Sequence, residues 1–185
     1  MSLEHAILGF LQYRPLTGYD LKKIFDTSVR HFWPADQSQI YRTLSRLEES
    51  GFAEKEVVHQ EDRPDRKVYQ ITEDGREELN SWLGTPMEFG EHRSAPLIQV
   101  FFAGQLSDQE VLDIFERAAG FIRQGLEQYD LISEDMADYS DYVDSPREFY
   151  FWMLTLEAGK ESARANLKWM ESVIKRIKAG EIPQK

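Results

Sequence analysis

The sequence predicts a mainly α fold with a small β-wing: an N-terminal winged helix-turn-helix followed by a C-terminal α-helical dimerisation domain. Three observations carry this expectation. Short amphipathic helical patterns succeed one another from Ser2 to Phe52. Two β-branched runs then flank a charged, Pro-containing turn. Beyond residue 94, apolar residues recur at steps of three and four along two long segments. The expected divisions are residues 1–84, a linker over 85–94, and residues 95–185.

Leu3, Ile7, Phe10 and Leu11 share one helical face, and Pro15 ends that first helix. Thr17 caps a second helix with Leu21, Ile24, Phe25 and Ser28 inside and Lys22 and Lys23 outside. After an aromatic corner, His31 to Pro34, comes DQSQIYRTLSRLEESGF. Ile40, Leu44 and Leu47 form its buried face, while Ser38, Arg42, Ser45 and Arg46 form the other. Asp36 with Gln39 is a start signal of the capping-box type, and Gly51 is a stop. Hydroxyl, amide and guanidinium groups near a helix N-terminus suit base edges and phosphates in a major groove. The hairpin follows, with Arg63, Arg66 and Lys67 at its tip, and then a helix capped by Thr72 that closes Leu79, Trp82 and Leu83 over the core.

GTPMEFGEHR has linker composition. APLIQVFFAGQ reads as a short buried helix. Ser107 and Glu110 open a long helix with a seam of Val111, Phe115, Ala118, Ile122, Leu126 and Tyr129. The acidic loop SEDMADYSDYVD is the expected disordered segment. Ser145, Pro146 and Glu148 open the last helix, striped by Phe149, Trp152, Leu156, Ala163, Leu167, Met170, Ile174 and Ile177. That stripe is either an intramolecular core or a dimer face. Two long helices with apolar stripes lack a third layer, which a two-fold dimer supplies through Phe149, Leu156, Leu167, Met170, Ile174 and Ile177.

The formal net charge of -11 argues against indiscriminate nucleic-acid binding. Between Arg14 and Arg46, however, six basic residues face three acidic ones, a local excess of +3. The absence of cysteine excludes disulfides and thiolate ligands. His5, His31, His59 and His92 show no ligand spacing, so no metal or other cofactor is expected. The N-terminus does not read as a secretory peptide and no apolar run spans a membrane, so the expected location is cytoplasmic. The dense carboxylates, as in the stretch from Glu134 to Asp144, include no acid pair, nucleophile with base, or phosphate-cradling glycine loop. An enzyme is therefore not expected.

AILGFL, LTGYDLKK, FWPADQSQIYRTLSRLEESGF and RKVYQITEDGREELNSWL together resemble the PadR family of bacterial transcriptional regulators. PLIQVFFAGQLSDQEVLDIFE with a long final helix resembles the extended-tail branch typified by repressors of phenolic-acid decarboxylase genes. The resemblance implies a homodimer that binds a palindromic double-stranded operator and represses. It implies that Tyr19, Tyr41 and Lys67 touch the DNA backbone and that Gln37, Ser38, Gln39 and Arg42 begin the reading helix. It also suggests a small aromatic acid as effector, between the two halves. Glu61, Asp62 and Asp65 near the wing depart from a strongly basic tip.

In the expected complex, two copies of the reading helix enter successive major grooves ~34 Å apart. Arg42 and Arg46 meet phosphate or guanine, and Lys22, Lys23, Arg63, Arg66 and Lys67 neutralise backbone. Lys22 and Lys23 read equally as a solvated helix face, and Tyr41 as packing beneath the wing. Trp33, Phe101, Tyr150 and Trp152 are candidate effector contacts, with ordinary core packing as the competing reading. An adaptor that keeps the winged scaffold without DNA binding is the alternative function.

Overall fold

A computed structural model describes residues 2–30, 32–59, 65–87, 94–135 and 145–183, with the backbone alone for 130–135. Its elements are α1 (Ser2–Tyr13), β1 (Leu16–Thr17), α2 (Gly18–Thr27), α3 (Gln37–Glu49), β2 (Ala53–Val58), β3 (Arg66–Ile71), α4 (Glu73–Leu83), α5 (Ala95–Phe102), α6 (Asp108–Asp135) and α7 (Pro146–Lys178). The chain divides into two compact units, Met1–Glu88 and Phe89–Lys185. His31, Arg63, His92 and residues 136–144 of the acidic loop lie outside the described residues.

In the first unit, α1, α2 and α3 bury their apolar faces together. Ile7, Leu8 and Leu11 of α1, Leu21 and Phe25 of α2, and Ile40, Leu44 and Leu47 of α3 are almost fully enclosed. Phe10 meets Phe25 edge-on, with ring centroids 5.3 Å apart. The sheet is antiparallel in the order β1-β3-β2. β1 is too short for a periodicity signal. It pairs Leu16 with Tyr69 and Thr17 with Val68, placing the start of α2 beside the wing. In the hairpin, Ala53 stands opposite Ile71 and Val58 opposite Arg66.

Local chemistry sets the helix ends. The Thr17 and Asp36 side chains accept from the backbone N–H groups of Asp20 and Gln39, whose side chains return the contact. α3 ends with Gly51 at φ 76°, its N–H donating to Glu48 while that of Phe52 donates to Leu47, an arrangement that left-handed glycine permits. The Thr72 hydroxyl donates to the Gly51 carbonyl at 2.6 Å and accepts from the Gly75 N–H at 3.1 Å. One side chain therefore joins the end of α3 to the start of α4. Gly75 is required there, because a Cβ would lie 2.1 Å from the Phe52 carbonyl oxygen.

Two expectations for α4 divide. Leu79 is buried, but Leu83 is 63% exposed, since the helix's last turn runs past the core. Trp82 half-covers the surface by stacking on His5 at 4.3 Å, and the His5 ring nitrogen meets Glu78 at 3.1 Å.

In the second unit, α6 and α7 pack along their apolar stripes, with Phe115, Ala119, Leu156 and Ile177 buried. The fully enclosed alanine is Ala119, and Ala118 beside it is half-buried, a small rotation of the expected seam. α6 runs to Asp135, so the helix includes the first residues assigned to the acidic loop. Gly159 admits the Tyr129 ring, whose hydroxyl oxygen lies 3.0 Å from where a Cβ would be. Ion pairs link Glu116 to Lys178 at 2.6 Å and Arg123 to Glu171 at 2.7 Å.

The expectation of a buried α5 is overturned. None of its residues is buried, and Phe101 is 82% exposed. Its run of apolar residues is continuous, so periodicity could not distinguish an internal helix from one awaiting a cover. Leu156 and Ile177 are also corrected: they are enclosed within the α6 and α7 pair and have no surface to offer a second chain. Phe149, Leu167, Met170 and Ile174 are half-buried.

Candidate nucleic-acid interface

α3 buries Ile40, Thr43, Leu44 and Leu47 and leaves Gln37, Ser38, Gln39, Tyr41, Arg42, Ser45 and Arg46 exposed. The outer face is thus continuous and polar. Its N-terminal turn is ordered by Asp36, which accepts from the Gln39 N–H at 2.7 Å while the Gln39 amide oxygen accepts from the Asp36 N–H at 2.9 Å. Gln39 is held in the cap, so its amide is a weaker candidate for base reading than the Gln37 amide or the Ser38 hydroxyl.

The basic residues fall into two classes. Arg42 bonds its own helix, donating from Nε to the Ser38 carbonyl at 3.3 Å, and meets no carboxylate among the described residues. Lys23 and Lys67 are exposed without an ion-pair partner among the described residues. By contrast, Lys22 pairs with Asp26, Arg46 with Glu4 at 3.1 Å, and Arg66 with Asp20 at 3.5 Å. Lys55, which sequence reasoning passed over, pairs with Glu48 at 2.6 Å and ties β2 to the end of α3. This hydrogen bond raises the Lys55 pKa above its ordinary value of 10.5. Burial raises that of Tyr69, on the neighbouring strand, above 10.0.

The two tyrosines differ. Tyr19 is 67% exposed at the start of α2. The Tyr41 ring lies over Gly18, with a ring carbon 2.5 Å from where a Cβ would be, yet part of the ring remains open. Tyr41 therefore packs α3 against the start of α2 and still borders the surface. The signal in the sequence was the Gly18-Tyr19 pair, where only glycine leaves room for the ring.

The candidate effector contacts are divided between the two units. Trp33 belongs to the first unit, whereas Phe101 is exposed on α5 and Tyr150 and Trp152 stand on α7. Tyr150 packs edge-on against Phe151 at 5.8 Å, with the Arg147 guanidinium 5.2 Å from the Phe151 ring centre. A groove of about 480 Å³ between α6 and α7 is lined by Glu116, Arg123, Glu171, Ile174, Lys175 and Lys178, with no aromatic side chain. Among the described residues no cluster of potential metal ligands forms, and no helix is long and apolar enough to cross a membrane.

Comparison with known proteins places the chain. Residues 7–81 match the family described as transcriptional regulator PadR-like, and residues 92–178 match the family described as virulence activator alpha C-term. A protein of Mycobacterium tuberculosis named "Probable transcriptional regulator" is 44% identical over 87 residues, 47% of this chain and 46% of that protein. The chain thus matches about half the length of that relative. The negative transcriptional regulator PadR of Bacillus subtilis is 27% identical over 176 residues, covering 95% of this chain and 97% of its own. The crystal structure of that PadR in complex with operator DNA has a TM-score of 0.83 at 29% identity, covering 96% of this chain and 99% of the other. Its complex with p-coumaric acid has a TM-score of 0.74 at 27% identity, with coverage of 96% and 99%. These relatives are transcriptional regulators rather than enzymes. The winged helix-turn-helix, the helical second unit and these matches agree: residues 7–81 are similar to the PadR-like family of transcriptional regulators, and the fold of the chain matches that of the PadR structures.

Proposed function

We propose that the protein is a homodimeric, sequence-specific repressor that places two α3 helices in successive major grooves of a palindromic operator and is released by a small aromatic ligand. The observation that carries the reading is the outer face of α3, a capped helix start exposing Gln37, Ser38, Tyr41, Arg42 and Ser45 over a fully buried inner face. Arg42 has the chemistry to read guanine, and Gln37 and Ser38 to read other base edges. Lys23, Lys67 and Tyr19 supply backbone contacts, as does Arg63 outside the described residues. Lys22, Gln39, Arg46 and Arg66 border the same surface with part of their bonding capacity already engaged. The operator complex of the Bacillus relative supports this assignment.

Dimerisation is supported by the apolar side chains left uncovered on the second unit: Phe101 and Phe102 of α5, Phe121 of α6, and Phe151, Leu154 and Trp169 of α7. Exposed apolar surface on this scale marks an interaction site. The effector reading rests on the p-coumaric acid complex of the relative and on Trp33, Phe101, Tyr150 and Trp152 as candidate contacts. A ligand releases DNA only if it favours one dimer geometry over the other.

Footprinting across genomic fragments, followed by anisotropy titration over a salt series, tests DNA recognition. A protected palindrome whose affinity falls steeply with salt is expected. The net charge of -11 favours one competing reading, an adaptor without DNA binding, and salt-insensitive or absent binding would establish it. Phenolic acids titrated against tryptophan fluorescence test the effector, and no response at millimolar ligand removes it.

A further inference from the structure

Arg46 and Arg42 stand one turn apart on α3 but have different neighbours. Counting around the helix, Arg42 lies about 40° from Ser38 and Arg46 about 80° from it, on the shoulder that faces α1. There the Glu4 carboxylate of α1 lies 3.1 Å from Nη2 of Arg46, and the same nitrogen donates to the Thr43 hydroxyl at 3.2 Å. The Arg46 side chain is 61% exposed and that of Glu4 is 26% exposed, so the pair sits at the rim of the reading surface. Glu4 has no second role among the described residues. Asp20, by comparison, caps α2, and Glu48 fastens the wing.

We propose that Glu4 is a specificity-determining residue that masks the Arg46 charge and keeps it out of contact with DNA phosphate. The inference rests on the DNA-binding reading given above. Phosphate contacts supply binding to any sequence, whereas discrimination comes from base contacts. An unmasked guanidinium on the shoulder of α3 would add one phosphate contact in the registers that base contacts do not fix. In the operator register Arg46 stays with Glu4, and α1 and α3 are held together by the same pair. The mask therefore lowers affinity for random sequence more than for the operator, leaving Arg42 as the arginine that reads. It also fits a surface on which Lys22, Lys55 and Arg66 are likewise answered by carboxylates while, among the described residues, Arg42, Lys23 and Lys67 are not.

The test measures binding of the full chain to a labelled random-sequence duplex over a salt series, with circular dichroism and thermal melting as fold controls. Glu4→Gln is expected to raise affinity several-fold and to steepen the slope of log K against log salt by roughly 0.9 per engaged protomer. The double variant, with neither charge of the pair, is expected to return to the wild type, and Arg46→Gln alone, which leaves the Glu4 carboxylate unpaired, to bind somewhat more weakly. On the footprinted operator Glu4→Gln is expected to gain less, so that the ratio of operator to random affinity falls. The mask is overturned if the double variant binds more weakly than the wild type with a flatter slope, or if folded Glu4→Gln matches the wild type. Lys67→Gln, expected to weaken binding, separates the two levels of failure. If no variant binds duplex in a salt-dependent way, the regulator reading fails and the mask with it; if Lys67→Gln responds and Glu4→Gln does not, the mask alone fails.

Discussion

In the proposed complex Arg42 is the side chain on which sequence recognition turns, because among the described residues it bonds to its own helix and no carboxylate competes for it. Arg42→Ala is expected to cost about 1–3 kcal/mol of operator affinity and to relax the preference at one base position, measured by gel shift on the footprinted site. Its place on the outer face was legible from the spacing of Ile40, Leu44 and Leu47. Its difference from Arg46 was not, because Glu4 lies on another helix and sequence patterns report partners only within a few residues. The same limit hid Lys55, whose partner Glu48 lies across the turn at Gly51. Lys55 and Tyr69 have pKa values raised by folding, so the folded state holds protons that the unfolded chain releases first. Their contribution is complete below the ordinary values near 10.0 and 10.5 and is lost as pH rises through the raised ones. Melting temperature measured against pH is expected to fall in that alkaline window, and less steeply in Lys55→Met.

At the scale of elements, what the sequence made legible was what local hydrogen bonding decides. Asp36 with Gln39, Thr17 with Asp20, and Thr72 before α4 all open helices where expected, because a cap and its partner lie within one turn. Asp36→Ala is expected to destabilise the first unit by about 1 kcal/mol and to disturb the reading turn, seen as a lower denaturant midpoint with unchanged slope. Gly75→Ala tests a close approach instead. The carbonyl of Phe52 cannot yield as a side chain would, so overpacking should outweigh the gain in helix propensity and cost about 1–3 kcal/mol in equilibrium unfolding. What escaped prediction was decided by neighbours distant in sequence: the two-residue β1, the exposed end of α4 at Leu83, and the uncovered α5. Apolar composition announces that a face wants covering, not whether its own chain does the covering.

For the whole molecule, the uncovered aromatic residues of the second unit set the expected assembly. Sedimentation velocity is expected to find a dimer, and Phe121→Glu combined with Phe151→Glu to shift it toward monomer while leaving helicity intact. A monomeric wild type would remove the two-fold geometry. The pairing of α6 with α7 carries its own instruction. Glu116 meets Lys178 and Arg123 meets Glu171, contacts spaced one heptad apart on both helices. Exposed pairs of this kind add little stability. Their arrangement nevertheless works as a key. Sliding one helix by a heptad in one direction would set Glu116 against Glu171 and Arg123 against Arg164, and in the other direction would set Arg123 against Lys178. A slip of one heptad either way confronts like with like, so the charges of the two rods favour the offset they hold over its heptad neighbours.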